Sequence, residues 1–285
     1  MISTADRQDS FLLGQKPEQA LRILVMCGNE AAPVAAANIY AGLLGAHELR
    51  FLEERTLSPG RIRAFSVRRL RSKGLSSLLS SYLLYIHHFL RPLKKEERRY
   101  KPLLTVSDFS RNPRVEACIN DFQPQIIIIG FCGLLDARFL TRIRKGTRAV
   151  IYNTHPGINP RYRGFGNIWA FYENNPACTG YTIHEVDAGI DTGRRVAVRT
   201  IDFTGVPFAY MDVHAARIAA GQLSRFILGQ ERPEIPPQFQ NLPSACYGVP
   251  GYGVYRKARA IYHSLFPKSA RRPEPGPQRP NPDTP

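Results

Sequence analysis

Four consecutive isoleucines, Ile126 to Ile129, form the most apolar run of this 285-residue chain and end at Gly130. β-branched residues favour extended strands, and an uninterrupted apolar run is typical of a strand that is buried on both faces. Such a strand lies inside a sheet that carries helices on both sides. The run therefore predicts a parallel α/β sheet with this strand near its centre.

The rest of the chain alternates between strand and helix patterns. Strands are predicted at 21–26, 47–53, 149–152, 180–186 and 195–203, and helices at 31–44, 112–122, around Trp169 and at 206–228. This alternation predicts a Rossmann-like, doubly wound, mostly parallel sheet. Gly28, at the end of the first strand, does not lie in a G-x-G-x-x-G sequence, so the dinucleotide-binding fingerprint is absent.

Composition shifts suggest how the chain is divided. We predict a flexible N-terminus at 1–19, one α/β domain at 20–230 with an insertion at 61–101, and a C-terminal extension at 231–266. The last nineteen residues, 267–285, contain seven prolines and few apolar residues, so we expect this tail to be disordered.

The net charge of +16 predicts an anionic partner, such as a nucleotide-linked substrate, RNA or an acidic membrane surface. Residues 1–19 lack the pattern of a signal peptide, and no apolar run is long enough to cross a bilayer. The five cysteines form no C-x-x-C pair, as is usual for reduced thiols. We therefore expect a cytoplasmic protein, with peripheral membrane contact as one option.

The insertion at 61–101 holds twelve Lys or Arg and two Glu, which is most of the excess charge. Between its basic ends lies a Leu- and Ser-rich segment, 75–90. One interpretation is a basic amphipathic helix that lies on an anionic membrane or on substrate phosphates. The other, which is the more common situation, is a helix that packs its apolar stripe on the sheet and leaves its charges in solvent.

Polar clusters follow two of the predicted strands. Asn153 and His155 come at the end of strand 149–152, and residues two apart on a strand face the same side. Asp191 lies in a glycine-flanked turn beyond strand 180–186. Since parallel α/β sheets carry their chemistry at strand ends, we expect Asp191 to approach His155 if the two strands are neighbours.

An amide, an imidazole and a carboxylate without a Ser or Cys nucleophile suit direct acyl transfer. The amide and a protonated imidazole stabilise an oxyanion, while the carboxylate orients the imidazole and can relay a proton from an attacking amine. Each residue alone is more often structural, and their joint placement favours a site. Arg161 and Arg163, in the loop after His155, are either solvated charges or ligands for a phosphate or carboxylate. The glycines of the loop 130–135 permit close approach of a flat ligand.

These motifs resemble those of the folate-dependent formyltransferase family, which includes glycinamide ribonucleotide, methionyl-tRNA and nucleotide-sugar formyltransferases. The resemblance rests on Asn153-Thr154-His155-Pro156, on Pro160-Arg161-Tyr162-Arg163-Gly164, on Thr179 to His184 and on Asp187-Ala188-Gly189-Ile190-Asp191-Thr192-Gly193. It is strong over 122–195 and looser over 21–60 and 195–230. It implies that 20–230 is a formyltransferase-like catalytic domain.

The resemblance implies a donor, 10-formyltetrahydrofolate, an amine acceptor and no metal. It assigns catalysis to Asn153 on the formyl oxygen, His155 on the oxyanion and Asp191 on His155 and the amine proton. It places the pterin against Phe131, Cys132, Gly133, Leu134, Leu135, Asp187, Ala188, Gly189 and Ile190. Acceptor binding is assigned to Arg161, Tyr162, Arg163 and Gly164.

The acceptor is inferred by elimination. A methionyl-tRNA enzyme of this family is expected to carry a further RNA-binding domain after the catalytic one, and a small purine-pathway enzyme is expected to lack the insertion. We therefore expect an anionic small-molecule acceptor, an amine on a nucleotide-linked sugar or similar metabolite, and regard tRNA as the weaker candidate. Three further functions stay open: a formyltetrahydrofolate hydrolase, a non-catalytic membrane- or RNA-binding protein, and a metal-dependent hydrolase with the ligands His155, His184, Asp187 and Asp191.

Overall fold

The computed structural model describes residues 13–55, 59–85, 96–130 and 132–267. Its strands are β1 (Arg22–Gly28), β2 (Glu48–Glu54), β3 (Leu104–Val106), β4 (Ile126–Gly130), β5 (Val150–His155), β6 (Arg163–Gly164), β7 (Gly180–Glu185), β8 (Arg195–Thr200) and β9 (Cys246–Tyr247). Its helices are α1 (Ala31–Leu43), α2 (Pro59–Tyr85), α3 (Pro113–Phe122), α4 (Ala137–Gly146), α5 (Gly166–Tyr172), α6 (Met211–Ile227) and α7 (Tyr252–Leu265).

One sheet with the strand order β3-β2-β1-β4-β5-β7-β8 organises the molecule. Strands β1 to β5 of this sheet run parallel, and β7 and β8 are antiparallel to their neighbours. In the central strand β4, Ile126 and Ile128 enter the core on one face, while Ile127 and Ile129 enter the core on the other. The predicted doubly wound, mostly parallel sheet is therefore confirmed.

The helices on either side of β4 begin at side-chain caps. The Asn112 side chain accepts the Arg114 N–H ahead of α3, and the Asp136 side chain accepts the Arg138 N–H ahead of α4. A capping oxygen satisfies one of the free N–H groups in the first turn of a helix. The Asp136 cap fixes the point at which the loop after β4 ends and α4 begins.

The relation between β5 and β7 differs from the expected one. The two strands are neighbours, but they run antiparallel, with Asn153 opposite His184 and His155 opposite Thr182. The carboxyl ends of β5 and β7 therefore do not lie side by side at one edge of the sheet. Asp191 reaches the end of β5 because the loop between β7 and β8 returns over the sheet, where its carboxylate contacts Asn153 and His155.

The insertion forms α2, and its backbone departs from helical geometry at Gly74, where φ is +76°. The Ser66 hydroxyl lies 2.8 Å from the Tyr82 hydroxyl, so the two parts of α2 fold toward each other. The interpretation in which the helix packs an apolar stripe on the sheet does not agree with the exposure of its described side chains. Leu75 and Leu79 are 61% and 54% exposed. Residues 86–95 of the insertion lie outside the described residues.

The segment 231–266, for which the sequence predicts no particular secondary structure, forms β9 and α7. Strand β9 pairs with β6 in a short separate sheet, and α7 buries Tyr255 and Tyr262 in the same core as α5 and α6. This packing brings the C-terminal extension against the α/β domain, and its boundary at 231 stays a prediction. The predictions for 1–12 and 268–285 concern residues outside the described part of the chain. Among the described segments, no helix is both long and apolar enough to cross a membrane.

Candidate active site

A cleft of about 590 Å³ opens at the carboxyl ends of β4 and β5. Its lining brings together five parts of the chain: the start of α1, the loop after β4 with α4, the end of β5 with the start of α5, the segment from His184 to Asp191, and the start of α6. A sixth part, Cys246–Val249, belongs to the C-terminal extension and was not predicted to contribute. Asn153, His155 and Asp191 all line this cleft, as the sequence predicts for a common site.

The Asp191 carboxylate is the point at which the polar groups of the cleft converge. Its Oδ1 atom lies 3.2 Å from Asn153 Nδ2 and 3.3 Å from His184 Nε2. Its Oδ2 atom lies 3.3 Å from His155 Nδ1 and accepts the Gly164 backbone N–H at 2.9 Å. One carboxylate therefore fixes the positions of an amide, two imidazoles and the β6 backbone.

Asp191 adopts the left-handed backbone conformation, with φ at +50°. Among residues other than glycine, Asp and Asn enter this region most readily. Aspartate is therefore suited to this position in two ways. Its backbone can form the turn that directs the side chain toward β5, and its side chain carries a negative charge.

His155 is 4% exposed, and both of its ring nitrogens face acceptors. Nε2 donates to the Tyr162 carbonyl at 2.8 Å, and Nδ1 faces the Asp191 carboxylate. Two glycines make room for the ring. A Cβ atom on Gly157 would lie 2.7 Å from His155 Nε2, and one on Gly166 would lie 2.6 Å from the Gly157 Cα.

The electrostatic influences on Asp191 and His155 oppose each other. Burial acts to raise the pKa of Asp191, but the charge of His155 and the Gly164 N–H together hold that pKa well below its usual range. Burial lowers the pKa of His155, against the raising effects of Asp191 and the Tyr162 carbonyl. The Asn153 amide, the Gly164 N–H and the His155 ring face the oxygens of Asp191 and favour its charged form.

His184 is a site residue that sequence reasoning considered only as a metal ligand. Its Nδ1 donates to the Glu185 carbonyl at 2.7 Å, which leaves Nε2 as an acceptor for the Asn153 amide at 3.1 Å in the neutral ring. The contact follows from the antiparallel register that places Asn153 opposite His184. It determines which end of the Asn153 amide faces Asp191.

The residues predicted to hold the pterin lie on two sides of the cleft. Cys132, Gly133, Leu134 and Leu135 line one side, Asp187, Gly189 and Ile190 line the other, and Ala188 lies within the same turn. Phe131 lies outside the described residues. Leu134 is 76% exposed and Ile190 is 41% exposed, so two large apolar side chains stand uncovered at the cleft.

A buried carboxylate holds the loop after β4 in place. Glu54, at the end of β2, is 1% exposed and accepts the Gly133 N–H at 2.6 Å and the Phe109 N–H at 3.0 Å. No local pattern in the sequence predicts this role, because Glu54 is distant in the chain from both partners.

Of the four residues predicted to bind the acceptor, only Gly164 lines the cleft. Arg161 pairs with Glu173 at 2.9 Å, and the buried Tyr162 hydroxyl donates to the same carboxylate at 2.8 Å. Arg163 donates to the Ile190 carbonyl at 3.1 Å and thereby ties β6 to the turn before Asp191. These three side chains support the loops around the cleft in this structure.

The metal site considered from the sequence needs several ligands in one place. Within the segments that the structure describes, no group of three or more His, Cys, Asp or Glu residues is arranged to hold a metal ion. Asp187, one of the four considered ligands, instead accepts the Gly189 N–H at 3.0 Å and the Thr192 hydroxyl at 2.6 Å.

Residues 93–204 match the protein-family model described as formyl transferase, and this range contains Asn153, His155, His184 and Asp191. GDP-perosamine N-formyltransferase of Brucella melitensis is 29% identical over 180 residues, which cover 48% of this chain and 68% of the relative. Methionyl-tRNA formyltransferase of Geobacter metallireducens is 35% identical over 91 residues, which cover 32% of this chain and 28% of the relative.

Solved structures of similar shape include a sugar N-formyltransferase from a Shewanella species, with a TM-score of 0.47 and 11% identity over 84% of this chain and 87% of the other. Phosphoribosylglycinamide formyltransferase from Streptococcus pneumoniae has a TM-score of 0.45 and 13% identity over 74% of this chain and 98% of the other.

Proposed function

We propose that this chain is a formyl-transferring enzyme that moves the formyl group of 10-formyltetrahydrofolate to a primary amine on a nucleotide-linked amino sugar. The match of residues 93–204 to the formyl transferase family model and the similarity to GDP-perosamine N-formyltransferase support this proposal. The observation that carries the proposal is the convergence of Asn153, His155 and His184 on the Asp191 carboxylate inside the cleft. This arrangement offers hydrogen-bond donors and a negative charge around one point, as amine attack on a formyl carbon requires.

Asn153 and His155 are assigned to the formyl oxygen. The Asn153 amide has two N–H groups, and in the structure they face His184 and Asp191. When substrate binds, the hydrogen bond to His184 keeps the amide oriented, and the second N–H turns from Asp191 to the formyl oxygen. Beside Asp191, the protonated form of His155 stabilises the negative charge that develops on that oxygen.

Asp191 is assigned to the amine nitrogen. The amine attacks the formyl carbon, forms a C–N bond and becomes positively charged, and the bond from the formyl carbon to the folate nitrogen then breaks. A carboxylate with so low a pKa is a weak base, so its main contribution is electrostatic stabilisation of the positive nitrogen. The proton that the amine loses is the proton that the departing folate nitrogen gains.

The two loops at the cleft fit a reduced folate. The pterin is a flat heterocycle with donors and acceptors at its edge, and the loop 132–135 and the turn 187–190 offer backbone groups to such an edge. Leu134 and Ile190, both exposed, offer apolar surface for the pterin to cover. In this role the chain supplies position, and the bound folate supplies the activated formyl group.

The acidic lining of the cleft supports an amine acceptor. Glu30, Asp187, Asp191 and Asp212 line it, and its described lining contains no Lys or Arg. Carboxylates attract a ligand that carries an amino group, whereas the phosphates of a nucleotide have to remain outside this lining. The similarity to GDP-perosamine N-formyltransferase supports a nucleotide-linked sugar as the carrier of that amine. A cytoplasmic location stays a prediction.

The experiment is a panel of GDP-, dTDP- and UDP-linked amino sugars, each incubated with purified protein and 10-formyltetrahydrofolate. We expect one acceptor to gain the mass of a formyl group while tetrahydrofolate forms in equal amount. Asp191→Asn serves as the inactive control. Failure of every sugar nucleotide to react, with a folate that still binds, would contradict the proposed acceptor.

Methionyl-tRNA is the second candidate acceptor, because methionyl-tRNA formyltransferases are among the relatives with the higher local identity. The same assay with charged initiator tRNA tests it. Formate release that needs no amine would instead indicate a hydrolase. The product that carries the formyl carbon, which is the tRNA, formate or the sugar, distinguishes the three reactions.

A further inference from the structure

We propose that the outward face of α2 docks on an anionic lipid surface. This face consists of the exposed apolar side chains of the helix, which are Val67, Leu70, Leu75, Leu79, Tyr82 and Leu83. Their exposed fractions lie between 40% and 61%. The proposal is independent of the acceptor that the enzyme uses.

The exposed apolar side chains form two groups, one on each side of Gly74. Residues 75, 79, 82 and 83 follow helical spacing, so their side chains lie on one side of the second part of α2. Val67 and Leu70 in the first part share the same i, i+3 relation. Because the Ser66 and Tyr82 hydroxyls meet at 2.8 Å, the two parts present their apolar residues from one folded unit.

Among the described side chains of α2, most of the apolar ones are exposed, unlike those of a helix packed on a core. Its second part meets the body of the protein through serine, since the Ser80 hydroxyl accepts the Tyr252 N–H at 2.7 Å. Ser77, Leu78 and Ser80 are half-buried, while Leu75 is 61% exposed. A helix with so many exposed apolar side chains presents a surface for an apolar partner outside the molecule.

Charge identifies the partner as an anionic surface. Residues 59–85 contain six Lys or Arg and no Asp or Glu, and Arg63 and Arg71 are exposed beside the apolar side chains. Basic residues next to an apolar stripe are typical of helices that lie in the headgroup region of anionic membranes. A second copy of this chain would bring two sets of like charges together, so a symmetric dimer through this face is disfavoured.

The helix α2, which carries the docking face, contacts the segment that lines the cleft. Ser80 contacts the backbone at Tyr252, and the residues just before it, Cys246–Val249, line the cleft. Lipid-bound protein would therefore hold one wall of the cleft close to the membrane.

The test is sedimentation of the full chain with phosphatidylcholine vesicles that contain or lack phosphatidylglycerol, at low and high salt. We expect binding only to the anionic vesicles and weakening by salt. The double variant Leu75→Ser/Leu79→Ser should bind about tenfold more weakly or worse, because it removes two apolar groups from the buried face. Arg63→Glu/Arg71→Glu should lose about fivefold or more for each charge that leaves the surface.

The matched control is Leu43→Ser/Leu103→Ser, which removes two leucines that are 45% and 55% exposed elsewhere and should leave vesicle binding unchanged. Formyl transfer without lipid should be the same in all variants. Equal binding to neutral vesicles, or undiminished binding of the serine variant, overturns the proposal. A wild-type protein that is a dimer, with a serine variant that is a monomer, would also overturn the proposal, because the face would then be a contact between copies of the chain. Binding to RNA without binding to vesicles would overturn it as well.

Discussion

Asp191 Oδ2 faces His155 Nδ1 at 3.3 Å, and the same oxygen accepts the backbone N–H of Gly164 at 2.9 Å. The contact with the imidazole and the contact with the backbone mean that one carboxylate holds both His155 and the strand β6 that borders the cleft. The other oxygen, Oδ1, holds Asn153 and His184. The geometry of the proposed catalytic groups therefore depends on a single side chain.

Asp191→Asn tests this dependence. Asn tolerates the left-handed backbone that Asp191 adopts, so the loop should keep its conformation while the charge is lost. We expect kcat for formyl transfer to fall by about 10³-fold, within the range that proton-transfer and charge-stabilising groups contribute. Folate binding measured by calorimetry should change little. A variant that retains more than half of the wild-type kcat would contradict the assignment.

His184 tests the orientation of Asn153. His184→Leu removes the acceptor that holds the Asn153 amide, and we expect kcat to fall by about tenfold, the equivalent of one hydrogen bond. His184→Gln can again accept from the amide and should recover part of the loss. If both variants lose the same kcat and also unfold at lower denaturant concentration, His184 supports packing rather than the amide.

The sequence predicted the strands around β4 and the placement of Asn153, His155 and Asp191 in one cleft because those signals are local. Four consecutive isoleucines indicate a strand buried on both faces whatever surrounds them, and Asn153 and His155 share a side of β5 through the two-residue period alone. The carboxylate of Asp191 could be assigned because its turn follows β7 closely in the chain.

The direction of β7 could not be predicted, since a buried strand has the same pattern in parallel and antiparallel sheets. The contact of His184 with Asn153 depends on that direction and was missed with it. The role of Glu54 was missed for a related reason, because its partners Phe109 and Gly133 are brought to it only by the packing of three loops. Likewise, the pattern of α2 shows an apolar stripe without showing whether that stripe faces the core or solvent.

Glu54→Gln tests the loop that is proposed to hold the pterin. The amide has one oxygen where the carboxylate has two, so either Gly133 or Phe109 loses its acceptor. We expect KM for 10-formyltetrahydrofolate to rise by about tenfold with a smaller change in kcat, because one unsatisfied buried N–H costs about 1–3 kcal/mol. Glu48→Gln, an exposed carboxylate of the same strand, is the control and should match wild type. An unchanged KM would contradict the role of Glu54.

The free energy of unfolding should rise with pH between acid and neutral conditions. The pKa of Asp191 is lowered in the folded state, so its contribution is lost as pH falls below the ordinary carboxyl range. The pKa of His155 is also lowered, so below the ordinary imidazole range the unfolded chain binds a proton that the folded chain does not. Both effects have the same sign.

Urea midpoints measured across this pH range give the test. His47, whose pKa is also lowered by burial, contributes in the same direction, so His47→Gln is compared with His155→Gln. Between mildly acidic and neutral pH, we expect the free energy of unfolding of each variant to rise less steeply with pH than that of the wild type. A slope that is steeper in His155→Gln than in wild type would show that the folded state favours the protonated ring.

Gly157→Ala tests the space around His155. The added Cβ would lie 2.6 Å from the Tyr162 carbonyl oxygen, 2.7 Å from His155 Nε2 and 2.9 Å from the Gly166 Cα. Two of these atoms belong to backbone and cannot move without shifting the loop, so the imidazole has to leave its place or the loop has to open. Overpacking of this kind costs about 1–3 kcal/mol, and we expect loss of that stability together with a large fall in kcat.

Gly42→Ala is the matched control, because a Cβ there meets nothing within 4 Å and Gly42 lies within α1. That variant should keep full activity and gain about 0.5–1 kcal/mol of stability from the lower helical cost of alanine. Comparison of the two separates the general effect of a methyl group from its effect beside His155. If Gly157→Ala loses stability while its kcat stays at the wild-type value, the position of His155 is not what limits formyl transfer.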